Sequence, residues 1–167
     1  MQAHGPSLVT MLWRILGNES DVCDAYQDTF VQLAALEQRE GRGVKRPQHV
    51  KAYVFRTASN VAMSMLRRSR IHAQACRKLA SGGEASMDHA AAQENDLDAR
   101  RLQDDLRRNI ARLPERLQSV VVLKDLAELP YSQVAATLGI SVATTRVYRC
   151  RAIRLLGYWM ARMERER

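Results

Sequence analysis

Residues 131–156, YSQVAATLGISVATTRVYRCRAIRLL, are two short helical patterns hinged on a glycine. Val134, Ala135 and Leu138 give the first pattern an apolar face, and Gly139 supplies a residue that tolerates the left-handed turn needed to end it. Ile140 can plug the corner, and Ser141 is a good N-cap for the second helix. That second pattern carries Arg146, Arg149, Arg151 and Arg154, with no acidic residue between Ser141 and Arg162. A helix-turn-helix with a cationic second helix suits phosphate and base-edge contacts in a major groove. A solvated helical hairpin is the competing reading of these residues taken alone.

The rest of the composition narrows the field. The 167 residues carry a formal net charge of +8, and the isoelectric point is near 9.9. Such a balance favours a polyanionic partner through steering and counterion release, although an acidic membrane surface would satisfy it equally. No apolar run reaches the length of a membrane span. The N-terminal MQAHGPSLVTMLWRILGNES lacks the charged start and unbroken apolar core of a signal peptide. Cys23, Cys76 and Cys150 are odd in number and far apart, and His4, His49, His72 and His89 pair with none of them at ligand spacing. These residues fit a reducing cytoplasm, no metal and no cofactor. With no nucleophile-base pair and no glycine-rich phosphate loop, an enzyme is not expected.

Periodicity along the chain is helical almost everywhere, and the one β-branched run, Val120-Val121-Val122, is too short to pair alone. A first helix is expected over 7–16, ended by Gly17-Asn18, and a second begins after a cap at Asn18 or Ser20 with Val22, Ala25, Tyr26, Phe30 and Leu33 as its stripe. The polar stretch 37–48 reads as a loop. A third helix from about His49 to Arg70 or beyond, closing in Arg67-Arg68-Ser69-Arg70, presents Val50, Tyr53, Val54, Ala58, Val61, Ala62, Met65 and Leu66. Small polar residues from Ala80 to Asn95 read as a flexible linker. Beyond it come an amphipathic helix stopped at Pro114, a helix over 115–127 and the helix-turn-helix. The fold class is therefore all-α: a first helical domain over 1–72, a linker over 73–98, and a four-helix domain over 99–167.

Three blocks in this order resemble the extracytoplasmic-function sigma factors of bacterial RNA polymerase. DVCDAYQDTFVQL at 21–33 is similar to that family's polymerase-binding helix. PQHVKAYVFRTASNVAMSMLRRSR at 47–70 resembles its minus-ten segment, and LPERLQSVVVLKDLAELPYSQVAATLGIS at 113–141 resembles its minus-thirty-five reader. The forms AYVFRTASN, YSQVA and TTRVY look closest to an iron-starvation subgroup similar to the ferric-citrate regulator. The resemblance implies core polymerase and promoter DNA as partners, a membrane-anchored anti-sigma protein as a third, and promoters of iron and siderophore uptake genes as targets. A stand-alone helix-turn-helix regulator is the alternative.

Residue chemistry gives each block its candidates. Asp21, Asp24 and Asp28 recur on one side of the second helix, so an acidic strip on a basic protein can meet a basic surface. With Gln27, Phe30 and Gln32 they form the expected polymerase contact, against the plainer reading of a solvated face with an N-terminal charge bias. Opening a promoter needs a surface that holds an unstacked base. Arg46, Tyr53, Arg56, Ser59 and Asn60 offer an aromatic, cations and an amide that reads a base edge in two directions, and Arg67, Arg68 and Arg70 can follow the backbone. Tyr53 serves equally as core. Ser64 and Ser69 depart from the family's acidic residue and unbroken basic run. In the helix-turn-helix the groove-facing set is Ser141, Thr144, Thr145, Arg146, Val147, Arg149, Cys150 and Arg151, with Arg154 as a phosphate contact. Arg149 falls where relatives carry an apolar core residue, so either Tyr148 fills the core or Arg149 snorkels outward. Tyr158, Trp159 and Met163 are expected to pack.

Overall fold

The computed structural model describes residues 5–40, 49–79 and 94–165, and every regular element among them is helical. Helix α1 spans Gly5–Leu16, α2 Glu19–Glu40 and α3 Val50–Leu79. Then come α4, Glu94–Arg112, α5, Glu115–Val121, α6, Tyr131–Leu138, and α7, Val142–Arg165. The core of the expected linker, 80–93, lies outside the described residues, as do Arg46 and the rest of 41–48. Helix α3 runs to Leu79 and α4 starts at Glu94, so both flanks of the 73–98 segment are helical.

Each boundary has a local cause. On α1, Leu8, Met11, Leu12, Ile15 and Leu16 are buried at the spacing of one helical face. Gly17 ends that helix with φ +80°, a conformation that costs a residue with a Cβ. Asn18 caps α2: its Oδ1 accepts the Asp21 amide at 2.8 Å, and its Nδ2 donates to Asp21 Oδ2 at 2.7 Å. Asn18→Ala is accordingly expected to cost about 1 kcal/mol in urea unfolding, whereas Ser20→Ala stays near wild type.

The buried face of α3 is rotated from the expected one. Val50 is 63% exposed, and Phe55, absent from the expected stripe, is fully buried between Ala52 and Ala58. The largest apolar side chain of α3 is thus fully inside the core, and Tyr53 and Val54 are only half-buried. In the second half, α5 does not continue smoothly to residue 127. It passes into a π turn over Val122–Leu126, where the Ala127 amide donates to the Val122 carbonyl at 2.9 Å. Val120, Val121, Val122 and Leu123 stay buried through this transition. The chain leaves it through Glu128 at φ +58°.

The two halves do not stand apart. Buried apolar residues of α1–α3 and of α4–α7 form one continuous cluster that includes Phe55, Ala62 and Met63 with Val122, Leu123 and Val134. Trp159 packs on that cluster, with the Arg112 guanidinium over its ring at 5.0 Å, whereas Tyr158 is exposed.

Candidate nucleic-acid interface

The corner of the helix-turn-helix is built as its sequence implies. Ile140 donates to Ala135 O at 3.0 Å and Gly139 to Ala136 O at 3.4 Å, the bond pair of a Schellman turn, with Gly139 at φ +66°. Ser141 Oγ accepts the Thr144 amide at 3.0 Å, so Ser141 is the N-cap of α7. Its hydroxyl and that of Thr144 lie 2.9 Å apart.

From this start α7 divides into two faces. Arg146, Val147, Cys150, Arg151 and Arg154 are exposed on the outer one. A cationic strip broken by an exposed valine suits phosphates, guanine edges and a thymine methyl. The inner face holds Thr145, Ala152 and Leu156, all buried. Thr145 is fully buried, and its hydroxyl donates to Ser141 O at 2.9 Å, so it holds the turn and is withdrawn from a groove.

Arg149 lies on the inner stripe with Thr145 and Ala152 and is not available as a base reader. Its Nε donates to both Asp125 oxygens at 2.8 and 3.0 Å, and its Nη2 lies 2.7 Å from Asp125 Oδ1. The hydrogen bonds and charge of Asp125 raise the Arg149 pKa above the ordinary arginine value. Neither sequence alternative describes this position: the guanidinium replaces an apolar contact by tying α7 to the π turn. Arg149→Ala and Asp125→Ala are each expected to lower stability. In a double-mutant cycle they should couple by about 1 kcal/mol, allowing for the pair's partial exposure.

Tyr131 is a site residue that the sequence reading missed. Its ring lies 5.5 Å from the Arg146 guanidinium carbon and 5.0 Å from Lys124 Nζ. Cation–π contact limits the positions Arg146 can sample. The available signal was an aromatic at the start of α6, the helix that leads into the basic one.

On α3, Tyr53, Arg56, Asn60 and Arg67 follow one stripe, at the three- and four-residue steps of a helix face. Tyr53 is half-buried, and Asn60, Arg67 and Arg68 are exposed. Ser59 is not on that stripe: it is 2% exposed and donates to the Arg56 carbonyl at 2.9 Å. Arg56 and Arg67 reach across to the second half, to Thr137 O and, at 2.9 Å, to Gln118 Oε1. Arg70 lies on α3, but its side chain is outside the described set.

Helix α2 shows Asp24, Gln27, Asp28 and Gln32 on its outer face. Val31, 67% exposed among them, is an apolar side chain on this face that the sequence reading overlooked. Asp21 is occupied in the Asn18 cap and does not extend this strip. Phe30 is half-buried against Tyr26, with ring centres 4.8 Å apart. Among the described residues no cluster of three metal-ligating side chains forms, and no helix is long and apolar enough to cross a membrane.

Comparison with known proteins covers most of this architecture. A family model for Sigma-70 region 2 matches residues 1–71, and one for Sigma-70, region 4 matches residues 103–156. A curated relative, the ECF RNA polymerase sigma factor SigE of Mycolicibacterium smegmatis, is 26% identical over 151 residues, covering 87% of this chain and 54% of that protein. The chain thus spans about half the length of that relative. Among solved structures, CnrH in complex with the cytosolic domain of CnrY has a TM-score of 0.57 at 22% identity, over 96% of this chain and 84% of the other. The sigma factor RpoE in complex with the anti-sigma factor NepR from Bartonella quintana has a TM-score of 0.52 at 21% identity, over 93% and 91% of the two chains.

Proposed function

We propose that the chain, which the Sigma-70 region 2 and region 4 models match over residues 1–71 and 103–156, is a sigma factor of the extracytoplasmic-function kind, a dissociable subunit that directs core RNA polymerase to promoters. The observation that carries the reading is the division of α7. Its inner face completes the helix-turn-helix, and its outer face offers Arg146, Val147, Arg151 and Arg154 to a groove.

In this reading Ser141 and Thr144 meet phosphates at the helix N-terminus, Arg146 and Arg151 read the minus-thirty-five element, and Arg154 holds the backbone. Tyr53 and Asn60, with Arg46, Arg67, Arg68 and Arg70, engage the minus-ten element. Unstacking a base there costs a few kcal/mol, and a half-buried tyrosine and an exposed amide two turns apart on one stripe supply stacking and edge contacts to offset it. Asp24, Gln27, Asp28 and Gln32, with Phe30 behind them, dock the polymerase.

The two solved relatives were captured with CnrY and with an anti-sigma factor, and a partner of that class is proposed for this chain. A membrane anchor on that partner and promoters of iron and siderophore uptake genes are the finer proposals. They rest on the AYVFRTASN, YSQVA and TTRVY forms. No cofactor and no catalytic step enter this reading.

A gel shift on duplex promoter, with and without core polymerase, separates this function from a stand-alone regulator. The sigma reading predicts a sequence-specific shift only when core is present. Tight specific binding by the chain alone would replace it with the regulator.

A further inference from the structure

The outer face of α7 is cationic only at its edges. Ala143, Val147, Cys150 and Arg154 follow one line along the helix, at steps of four and three residues, and all four are exposed. That line stands opposite Thr145, Ala152 and Leu156, the buried side, so it is the part of α7 that reaches furthest from the core. Arg146 flanks it on one side and Arg151 on the other. Arg146 is held against the Tyr131 ring of α6, its guanidinium carbon 5.5 Å from the centroid, and the Arg149 guanidinium is taken by Asp125 on the inner face. From Ala143 to Cys150 the line therefore offers no charge and no strong hydrogen-bond donor. It carries a methyl, the Val147 isopropyl group, 48% exposed, and a free thiol, which behaves as a small apolar group.

A single exposed valine is ordinary on a protein surface. A row of apolar groups along the crest of a helix otherwise built to meet a polyanion is not explained by solvation. In a major groove one base carries an apolar group that such a row can bury, thymine with its C5 methyl. We propose that Val147 and Cys150 read a thymine methyl on the floor of the groove, with Ala143 short enough to let the crest approach, so that the minus-thirty-five element requires a thymine beside the guanine taken by Arg146. This rests on the proposed function and deepens it, naming a base that the arginines do not select. The two kinds of contact differ in their response to salt. A methyl contact releases no counterion, so selection for thymine persists at ionic strengths where the phosphate contacts fade.

The test removes that methyl and nothing else. On the promoter fragment that gives the strongest run-off transcript, each thymine of the minus-thirty-five element, on either strand, is replaced singly by deoxyuridine, and holoenzyme binding is measured. One position is expected to weaken about fourfold, the worth of one buried methyl-sized group, equally at low and high salt. Val147→Ala and Cys150→Ser should each weaken binding to the thymine duplex and shrink the deoxyuridine effect, to below about twofold in the double variant, because the methyl then has little to pack on. Both positions are exposed, so thermal unfolding should not change. Arg146→Ala should keep the deoxyuridine effect while losing the guanine preference. Deoxyuridine tolerated at every position overturns the proposal, as does an element without an A·T pair. A penalty that the double variant leaves at full size also overturns it, since the methyl is then read elsewhere. In each case specific binding by the holoenzyme leaves the sigma reading intact. Holoenzyme that selects no promoter removes the sigma reading and this proposal together.

Discussion

Asp24→Arg combined with Asp28→Arg is expected to weaken retention by core polymerase about a hundredfold, at roughly 1.4 kcal/mol per reversed charge. Both carboxylates stand exposed on the outer face of α2, turned away from the core, so the fold has no reason to suffer. Thermal unfolding of the double variant should stay within about 0.5 kcal/mol of wild type, as for ordinary surface changes. The contrast isolates binding from stability. Asp21→Arg provides the internal control, because Asp21 serves the Asn18 cap and its loss should appear in stability first. Wild-type retention by the double variant would move the polymerase contact off this helix.

The second large effect concerns discrimination. Arg146→Ala should erase preference at one guanine of the minus-thirty-five element, a loss of about 1–3 kcal/mol between matched and mismatched promoters. Arg154→Ala should weaken all promoters alike and reduce the salt slope by about one. Binding isotherms for holoenzyme on matched and single-mismatch duplexes, at two salt concentrations, measure both. Tyr131→Ala should mimic Arg146→Ala in part, since it removes the ring beside that guanidinium. An equal loss on every sequence from Arg146→Ala would show that Arg146 is a phosphate contact.

The helices were legible where one residue type dominates a position. Gly17, Pro114 and Gly139 act through their own backbone chemistry and Asn18 through its side-chain cap, and each marks a boundary as expected. The exposure of Asp24 and Asp28 was legible for a similar reason, because acids on an amphipathic helix need little tertiary context to find solvent. Three features were not. The π turn depends on how Val120–Leu123 pack, and no local propensity encodes it. Arg149 was misread because its partner, Asp125, lies 24 residues away, and periodicity does not report a partner of opposite charge. Ser59 and Thr145 look like readers by residue type, but each sits on the buried side of its helix and bonds its own backbone. The hydrogen bonds of Arg14, Arg56, Arg67 and Arg107 between distant positions leave no periodic trace either.

Run-off transcription by purified core polymerase on a library of promoter fragments, with and without this chain, bears most directly on the whole account. Discrete transcripts from a small subset of fragments, appearing only when the chain is added and lost with Asp24→Arg and Asp28→Arg, are the predicted result. A chain that joins core yet starts transcription nowhere, or never joins it, would contradict the account.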